Sequence, residues 1–232
     1  MAEIIFVGTS HIAEQSMQDV RNAIEEHKPD IVAVELDSGR LYALMHEEKS
    51  RLRIRDIASV GLKGYLFAML ARFVQQRLGN IVGIKPGSEM KLAVHLAQKN
   101  KAKIALIDQD IRITLRRFSQ TFTWGERFRF LGDILKGLFS GKRLARELGL
   151  DFDLNKVPGP VFVTAMIKFI RQRYPSIYKV LIEERNIFMA QQLNGLKEKF
   201  PDSKIMAVVG AGHVEGIKQL IGPEYSFSFS VG

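Results

Sequence analysis

Four short runs of apolar residues lie at wide intervals along the chain. They consist mainly of Ile, Val, Leu and Ala, with almost no alternation between apolar and polar positions. A continuous apolar run of this length is typical of a strand covered on both faces, as in a parallel sheet. The strands that these runs predict are Ile4–Gly8, Ile31–Leu36, Lys103–Ile107 and Lys204–Val209.

Helical patterns lie between these runs. Glu89–Lys99 follows Ser88, which is a suitable N-cap. The other predicted helices of this kind are Ala13–His27, Ile177–Phe200 and His213–Ile221. A segment of alternating polarity, Tyr225–Val231, predicts a half-buried edge strand. Strands that alternate with helices predict an α/β fold with a mostly parallel central sheet flanked by helices.

Three further helical patterns do not fit this alternation. Leu62–Leu78 and Thr123–Leu150 carry apolar residues at helical spacing, and Val157–Tyr174 has two prolines in its first turn. We interpret these segments as a helical excursion that packs beside the sheet.

The positive charge of the chain belongs to this excursion. The whole sequence has a net charge of +9. Residues 49–77 contain seven basic residues and one acidic residue, and residues 112–147 contain nine and three. We therefore predict one α/β domain over residues 1–232, with basic helical insertions at about 50–80 and 112–175.

The apolar stripe of Thr123–Leu150 includes Trp124 and Phe128 and is flanked by Arg and Lys residues. Such a stripe predicts a helical core or the interface of a homodimer, and a homodimer is the assembly that we expect. The basic flank also suits peripheral contact with a membrane. Nucleic acid binding is not expected, since no stacking platform or known basic motif accompanies the charge.

Composition restricts the compartment and the kinds of site. The chain has no cysteine, which excludes disulfides and Cys-based zinc sites and suits a reducing compartment. No targeting signal precedes the first predicted strand, and the longest apolar stretch, at 64–74, is broken by Arg72 and too short to span a bilayer. We expect a cytoplasmic protein or the soluble domain of a membrane-associated one.

Polar residues follow the predicted strands. The phrase Gly-x-x-His occurs twice, as Gly8–His11 and Gly210–His213, each time between a strand and a helix. Glu35 and Asp37 follow the second strand, and Asp108 follows the third. In a parallel sheet these ends meet at one edge, where open α/β sheets bind ligands. Two imidazoles and several carboxylates at this edge predict a divalent-metal site or an acid–base site.

Each of these residues also has a structural interpretation. A histidine at a strand end often caps or packs. A buried carboxylate at Glu35 is either catalytic or paired with an arginine. Asp37, Asp108 and Asp110 are suitable helix caps. Arg185 lies among apolar residues of its predicted helix, where a buried guanidinium could clamp a carboxylate or a developing oxyanion.

Taken together, several motifs resemble those of the TraB family, which includes the pheromone-shutdown proteins. The motifs cover most of the chain: Gly8–His11, Pro29–Asp37 with Arg40, Pro86–Met90, Ile107–Leu115, Glu184–Asn186 with Met189-Ala190, and Val208–Ile217. The resemblance implies a wider fold group that also holds the TIKI metalloproteases, the erythromycin esterases and the haem-binding ChaN proteins.

The resemblance also implies a site and a chemistry. The site residues that it carries over are His11, Glu35, Arg185 and His213, with Glu184 and Glu89 as further candidates. TIKI-type members resemble manganese- or cobalt-dependent peptidases, and the TraB branch is linked to inactivating or sequestering peptide pheromones. Two departures stand out. Gln109 replaces an expected arginine, which weakens any role for that loop, and the C-terminal membrane helices of many archaeal relatives are not present in this sequence.

These observations lead to a predicted metal-dependent hydrolase of the peptidase type. The expected ligands of a manganese or cobalt ion are His11, His213 and Glu35. The expected catalytic residues are Glu35, Arg185 and Glu184. The alternative is a non-enzymatic protein that binds or sequesters a peptide or haem in the same pocket.

Overall fold

The computed structural model describes residues 2–9, 14–46, 87–130, 132–133 and 160–221. The strands are β1 (Glu3–Thr9), β2 (Ile31–Val34), β3 (Lys103–Leu106) and β4 (Lys204–Gly210). The helices are α1 (Glu14–His27), α2 (Ser38–Met45), α3 (Ser88–Lys99), α4 (Ile111–Thr121), α5 (Pro160–Arg173), α6 (Pro175–Tyr178), α7 (Glu184–Lys199) and α8 (Ala211–Ile221). A π-helical turn, Lys179–Glu183, joins α6 to α7, and residues 124–130 are also helical.

The four strands form one sheet in the order β1-β4-β2-β3, and all three neighbouring pairs are parallel. This confirms the predicted α/β class and each of the four predicted strands. Gly8 lies opposite Val209 and Thr9 opposite Gly210, so β1 and β4 end side by side. The strand that comes last in the described sequence therefore lies inside the sheet, between β1 and β2.

Both faces of the sheet are covered, as the continuous apolar runs require. Alternate strand residues point to opposite faces. Ile4, Phe6 and Ile205 lie in one cluster with residues of α7 and α8, and Ile5, Val7 and Met206 lie in another with residues of α1 and α3. Burying a side chain of this size contributes about 1.5–3 kcal/mol, so these two layers are the main source of stability.

The second predicted insertion has a small core of its own in the part that the structure describes. Phe118 and Phe122 of the α4 region pack with Tyr174, Ile177 and Val180. Their rings meet at tilted or edge-on angles, as aromatic pairs prefer. This core fixes α4 against the π turn that precedes α7.

Most element boundaries differ from the prediction by one or two residues, and three of the differences are local structural features. The expected continuous helix Ile177–Phe200 begins earlier, at Pro175, and contains the π turn, which helical periodicity does not distinguish from α-helix. The N-cap of α3 is Gly87, with φ of 86°, and not Ser88. The second strand ends at Val34, because the amide of Leu36 donates to the carbonyl of Val34 at 2.7 Å in a tight turn.

Other predictions fall outside the described residues, namely the helix Leu62–Leu78, the edge strand Tyr225–Val231 and the position of His11. They stay predictions, as does the single domain over residues 1–232. Among the described helices, none is long and apolar enough to cross a membrane.

Candidate functional site

A cluster of charged and imidazole side chains lies at the carboxyl edge of the sheet. Glu35 directly follows β2, Asp108 follows β3, and His213 lies in the first turn of α8 after β4. Arg185, in the first turn of α7, reaches across this edge and contacts all three. The predicted convergence of the strand ends is therefore observed for Glu35, Asp108 and His213.

The two glycine motifs lie side by side at the backbone level. A Cβ atom at Gly8 would lie 3.1 Å from the Cγ2 atom of Val214 and 3.4 Å from the Cα atom of Ala211. The glycine lets the end of β1 approach the start of α8 closely. His11, the imidazole of the first motif, lies outside the described residues, so its distance to His213 stays untested.

Arg185 is the centre of the cluster. Its Nε and Nη2 atoms donate to the two oxygens of Asp108, at 3.1 and 2.6 Å, and Nη2 also donates to Oε1 of Glu35. Its Nη1 atom lies 3.2 Å from the carbonyl of Leu181 and 3.0 Å from Nε2 of His213. A guanidinium has five N–H donors, and these contacts use all five. In this arrangement Arg185 holds protein groups together and has no donor to spare.

The charge of Arg185 is stable despite its burial. Burial opposes the charged form, but attraction to Glu35 and the hydrogen bonds and attraction of Asp108 outweigh this effect and raise the pKa of Arg185 above its ordinary value. The cluster is therefore held by a permanent cation at its centre.

His213 is buried, and both of its ring nitrogens are engaged. Nδ1 lies 2.6 Å from Oδ1 of Asn186, so Nδ1 carries the proton in this hydrogen-bond assignment. Nε2 then presents its lone pair to Nη1 of Arg185, and it also lies 3.5 Å from Oε1 of Glu35. This arrangement matches a neutral imidazole whose Nε2 lone pair faces Arg185 and lies beside Glu35.

Glu35 is 6% exposed and is paired with Arg185, which is one of the two states expected for a buried carboxylate here. Its Oε2 atom also accepts a hydrogen bond from the amide of Gly210 at 2.6 Å. That amide lies at the junction between β4 and α8, where the helix dipole favours negative charge. Glu35 therefore links the ends of β2 and β4 to Arg185.

Asp108 joins the cluster to Arg40 in α2. Arg40 donates to Oδ2 of Asp108 through Nη2, and to Oδ2 of Asp37 through Nε at 2.7 Å. Burial raises the pKa of Asp108, but the hydrogen bond and attraction of Arg185 and the attraction of Arg40 outweigh it and hold this pKa below its ordinary value. Asp108 thus stays ionised between two guanidinium groups.

The expectation that Gln109 weakens any functional role of its loop stays a prediction. The neighbouring Asp108 is a central member of the cluster, while Gln109 donates to the hydroxyl of Thr114 at 2.8 Å. The capping interpretation is confirmed for two other aspartates. Asp37 accepts from the amide of Arg40 at 2.9 Å, and Asp110 accepts from that of Arg112 at 2.8 Å.

Within the described residues, the side chains of the two further glutamate candidates have no observed contact with Arg185. Glu184 forms a two-point ion pair with Arg117 of α4, with distances of 2.7 and 3.2 Å. Its carboxylate therefore contacts the helical insertion, although it is the sequence neighbour of Arg185. Glu89 is buried in the first turn of α3, at 2% exposure.

The described residues do not fit a divalent ion while Arg185 is in this position. No three His, Asp or Glu side chains among them are grouped as ligands of one ion. Nη1 of Arg185 lies against Nε2 of His213, and Nη2 lies against Glu35, so the guanidinium occupies the space in which an ion shared by these two ligands would bind. The expected manganese or cobalt ion stays a prediction.

Sequence reasoning did not assign a role to Asn186, which holds Nδ1 of His213. A Cβ atom at Gly216 of α8 would lie 2.1 Å from Nδ2 of Asn186, so the amide fits closely against the backbone of that helix. The signal in the sequence is that Asn186 directly follows Arg185 within the motif Glu184–Asn186, which places both side chains near the same end of α7.

Comparisons with known proteins agree with the motifs. A family model described as the TraB/PrgY/gumN family matches residues 2–222. The uncharacterized protein MJ1365 of Methanocaldococcus jannaschii is 36% identical over 219 residues, which are 93% of this chain and 52% of the archaeal protein. The human TraB domain-containing protein is 24% identical over 242 residues, with 94% of this chain and 62% of the human protein covered. The chain thus spans between half and two thirds of the length of these relatives. It belongs to the TraB/PrgY/gumN family.

Proposed function

We propose that the chain is a hydrolase of peptide bonds, and that His213 accepts a proton from the attacking water. The observation that carries this proposal is the state of the imidazole. Asn186 holds the Nδ1 proton, and Nε2 faces Glu35 and Arg185 with its lone pair. A neutral histidine whose tautomer is set by a fixed acceptor is a suitable general base near neutral pH.

The resting cluster is closed, and the proposal includes how substrate opens it. The carbonyl oxygen of a peptide accepts the Nη1 hydrogen that Arg185 now directs at His213. This exchange releases the Nε2 lone pair for a water molecule and places Nη1 beside the oxygen on which negative charge develops. When the substrate carbonyl oxygen replaces Nε2 of His213 as the acceptor of the Nη1 hydrogen, the substrate is bound and His213 is free to act as a base.

The reaction then needs one proton carrier. The oxygen of water forms a bond to the carbonyl carbon as its proton passes to Nε2 of His213. The C–N bond breaks as that proton passes to the leaving nitrogen, which gives an amine and a carboxylic acid. Glu35, 3.5 Å from Nε2, stabilises the imidazolium between the two steps.

The charge of the cluster favours a neutral peptide carbonyl as the bound group. Its described members include three carboxylates (Glu35, Asp37 and Asp108) and two guanidinium groups (Arg40 and Arg185). With a neutral imidazole the net charge of these groups is negative. A substrate carboxylate would meet like charge in a buried site, whereas an uncharged carbonyl would not.

The test is turnover of a defined peptide mixture by purified protein, followed by mass spectrometry, with manganese, with cobalt and with chelator. We expect the His213→Ala variant to lose activity by a factor of about 10²–10⁴, the range for loss of a general base. His95→Ala is the matched control, because His95 lies exposed on α3. Equal turnover by wild type and His213→Ala would overturn the catalytic assignment.

The second candidate is a pocket that binds and sequesters a peptide without cleaving it. The observation that favours it is that protein groups accept all five hydrogen bonds from Arg185. A cluster whose hydrogen bonds are all made within the protein is suited to a fixed structural or binding role. Saturable peptide binding that resists chelator, together with no product in any metal condition, would support this candidate over the hydrolase.

A further inference from the structure

Two large aromatic side chains lie exposed on the helical insertion, away from the cluster at the sheet edge. Trp124 is 65% exposed and Phe128 is 69% exposed. They lie one helical turn apart, with ring centroids 6.1 Å apart and ring planes inclined by 30°. Their neighbours Phe122 and Phe130 instead pack towards the small core of the insertion. We call the surface formed by Trp124, Phe128 and the intervening Arg127 the aromatic surface.

Two arginines, Arg127 and Arg129, lie on the helical segment that carries the two rings. Residues 111–133 contain five arginines and two acidic residues, and Arg112 and Arg117 of α4 are paired with Asp110 and Glu184. Both acidic side chains are engaged within the protein: Glu126 is buried and accepts from the amide of Ser176 at 2.8 Å, and Asp133 is paired with Arg173. The guanidinium of Arg127 lies 4.5 Å from the centre of the Trp124 ring. The exposed rings are therefore set in a positively charged region.

We infer that the aromatic surface binds the surface of an anionic phospholipid bilayer. Trp and Phe are favoured at the boundary between headgroups and acyl chains, and arginines around them meet the phosphates and acidic headgroups of such a bilayer. This binding is peripheral and concerns a part of the chain separate from His213, so it does not depend on the proposed hydrolase.

Charge argues against a second copy of the chain as the occupant. A two-fold interface brings the same patch of both subunits together, so Arg127 and its basic neighbours would face their own copies. Nucleic acid is the less favoured occupant. The guanidinium of Arg127 already covers one face of Trp124, which leaves at most one face of this ring for a base to stack on.

The chain offers its own reporter, because Trp124 is its single tryptophan. Full-length protein is mixed with vesicles made of phosphatidylcholine and phosphatidylserine in equal amounts, or of phosphatidylcholine alone. We expect the tryptophan emission to shift to shorter wavelength and to be quenched by lipids brominated on the acyl chains, with the mixed vesicles only. Raised salt reverses the effect, since screening weakens attraction to the headgroups.

Vesicle sedimentation of variants then separates the contributions. Phe128→Ala is expected to lower the partition coefficient about tenfold, which corresponds to about 55 Å² of apolar surface removed from water. Leu220→Ala is the matched control, since Leu220 is 48% exposed on α8, and it should bind like wild type. Circular dichroism of each variant verifies that it is folded.

Three results would overturn the inference. One is equal sedimentation of wild type and the Trp124→Ala, Phe128→Ala double variant. Another is a dimer in vesicle-free solution that the double variant abolishes, which would assign the surface to self-association. The third is a Trp124 emission shift caused by single-stranded RNA and not by the mixed vesicles.

Discussion

Replacing Arg185 with glutamine tests the account of the cluster through stability, without any substrate. The variant leaves Glu35 and Asp108 without their shared cation, and the side chains of these residues are only 5% and 1% exposed. Removing one partner of a buried ion pair costs about 3–5 kcal/mol. That is a large part of the 5–15 kcal/mol by which a typical domain is stable, so the effect is easily measured.

The difference in stability between wild type and Arg185→Gln should depend on pH, and the direction of this dependence can be worked out from Asp108. In wild type the lowered pKa of Asp108 stabilises the fold above the ordinary carboxyl pKa of 3.8, and this contribution is lost as pH falls through the lower folded pKa. Without Arg185, burial acts on Asp108 against a weaker opposing attraction, and protonation relieves the buried charge. The gap in stability between wild type and variant should therefore be largest near pH 7 and should narrow as pH falls towards 4.

The assay is urea unfolding followed by circular dichroism at pH 7 and pH 4. Arg117→Gln is the matched control, because Arg117 also forms a two-point ion pair, but its side chain is 45% exposed. A pair this exposed contributes about 0–1 kcal/mol. A loss in Arg185→Gln no larger than in this control, or a gap that widens at low pH, would refute the reasoning. Adding Asp108→Asn to Arg185→Gln should restore part of the lost stability, because it removes one uncompensated charge.

Other predictions concern single backbone positions and the two proposed activities. Gly216→Ala should lower both Tm and peptide turnover, because the new Cβ would lie 2.1 Å from Nδ2 of Asn186 and would displace that side chain from His213. Gly195→Ala, whose Cβ would have nothing within 4 Å, should raise stability by about 0.5–1 kcal/mol. Lys101→Gly should stabilise by up to about 1 kcal/mol in thermal unfolding, because Lys101 has φ of 58° at the residue that follows the C-cap of α3, where glycine is favoured. Mass spectrometry should find product formation about 10²–10⁴-fold slower with His213→Ala than with wild type. Mixed vesicles should shift wild-type emission to shorter wavelength, and brominated lipids in them should quench it.

The sheet could be predicted from sequence because its strands are buried on both faces. A short continuous apolar run such as Ile31–Val34 is typical of a strand that is covered on both faces. The order β1-β4-β2-β3 could not be predicted in the same way, since every strand has a similar composition and parallel pairing carries no register signal in the sequence. The predicted strand ends agree with the observed ones to within about two residues. Such differences are usual, because a single hydrogen bond decides where a strand is said to end.

Some residues of the candidate site could likewise be predicted from the sequence, and others could not. His213 and Glu35 could be predicted because glycine and polar residues at strand ends stand out from apolar runs. Glu184 and Arg185 are adjacent in a helix, where consecutive side chains differ in direction by about 100°. Arg185 and Asn186 both contact His213, whereas Glu184 lies to the other side and pairs with Arg117. The roles of Asp108 and Asn186 depend on which strands and helices are neighbours in space, and that information lies outside any local pattern.

The central position of β4 has a consequence for how the protein is made. A chain synthesised from its N-terminus completes β1, β2 and β3 before the strand that joins the first two of them exists. Glu3 pairs with Lys204 across about 200 residues of sequence, so the sheet closes through contacts of very high sequence separation. Among the described strands, β1 has no neighbour in the sheet until β4 is added. Closure of the sheet should therefore be slow and should follow the synthesis of β4, and until then the open strand edges are surfaces that chaperones would cover.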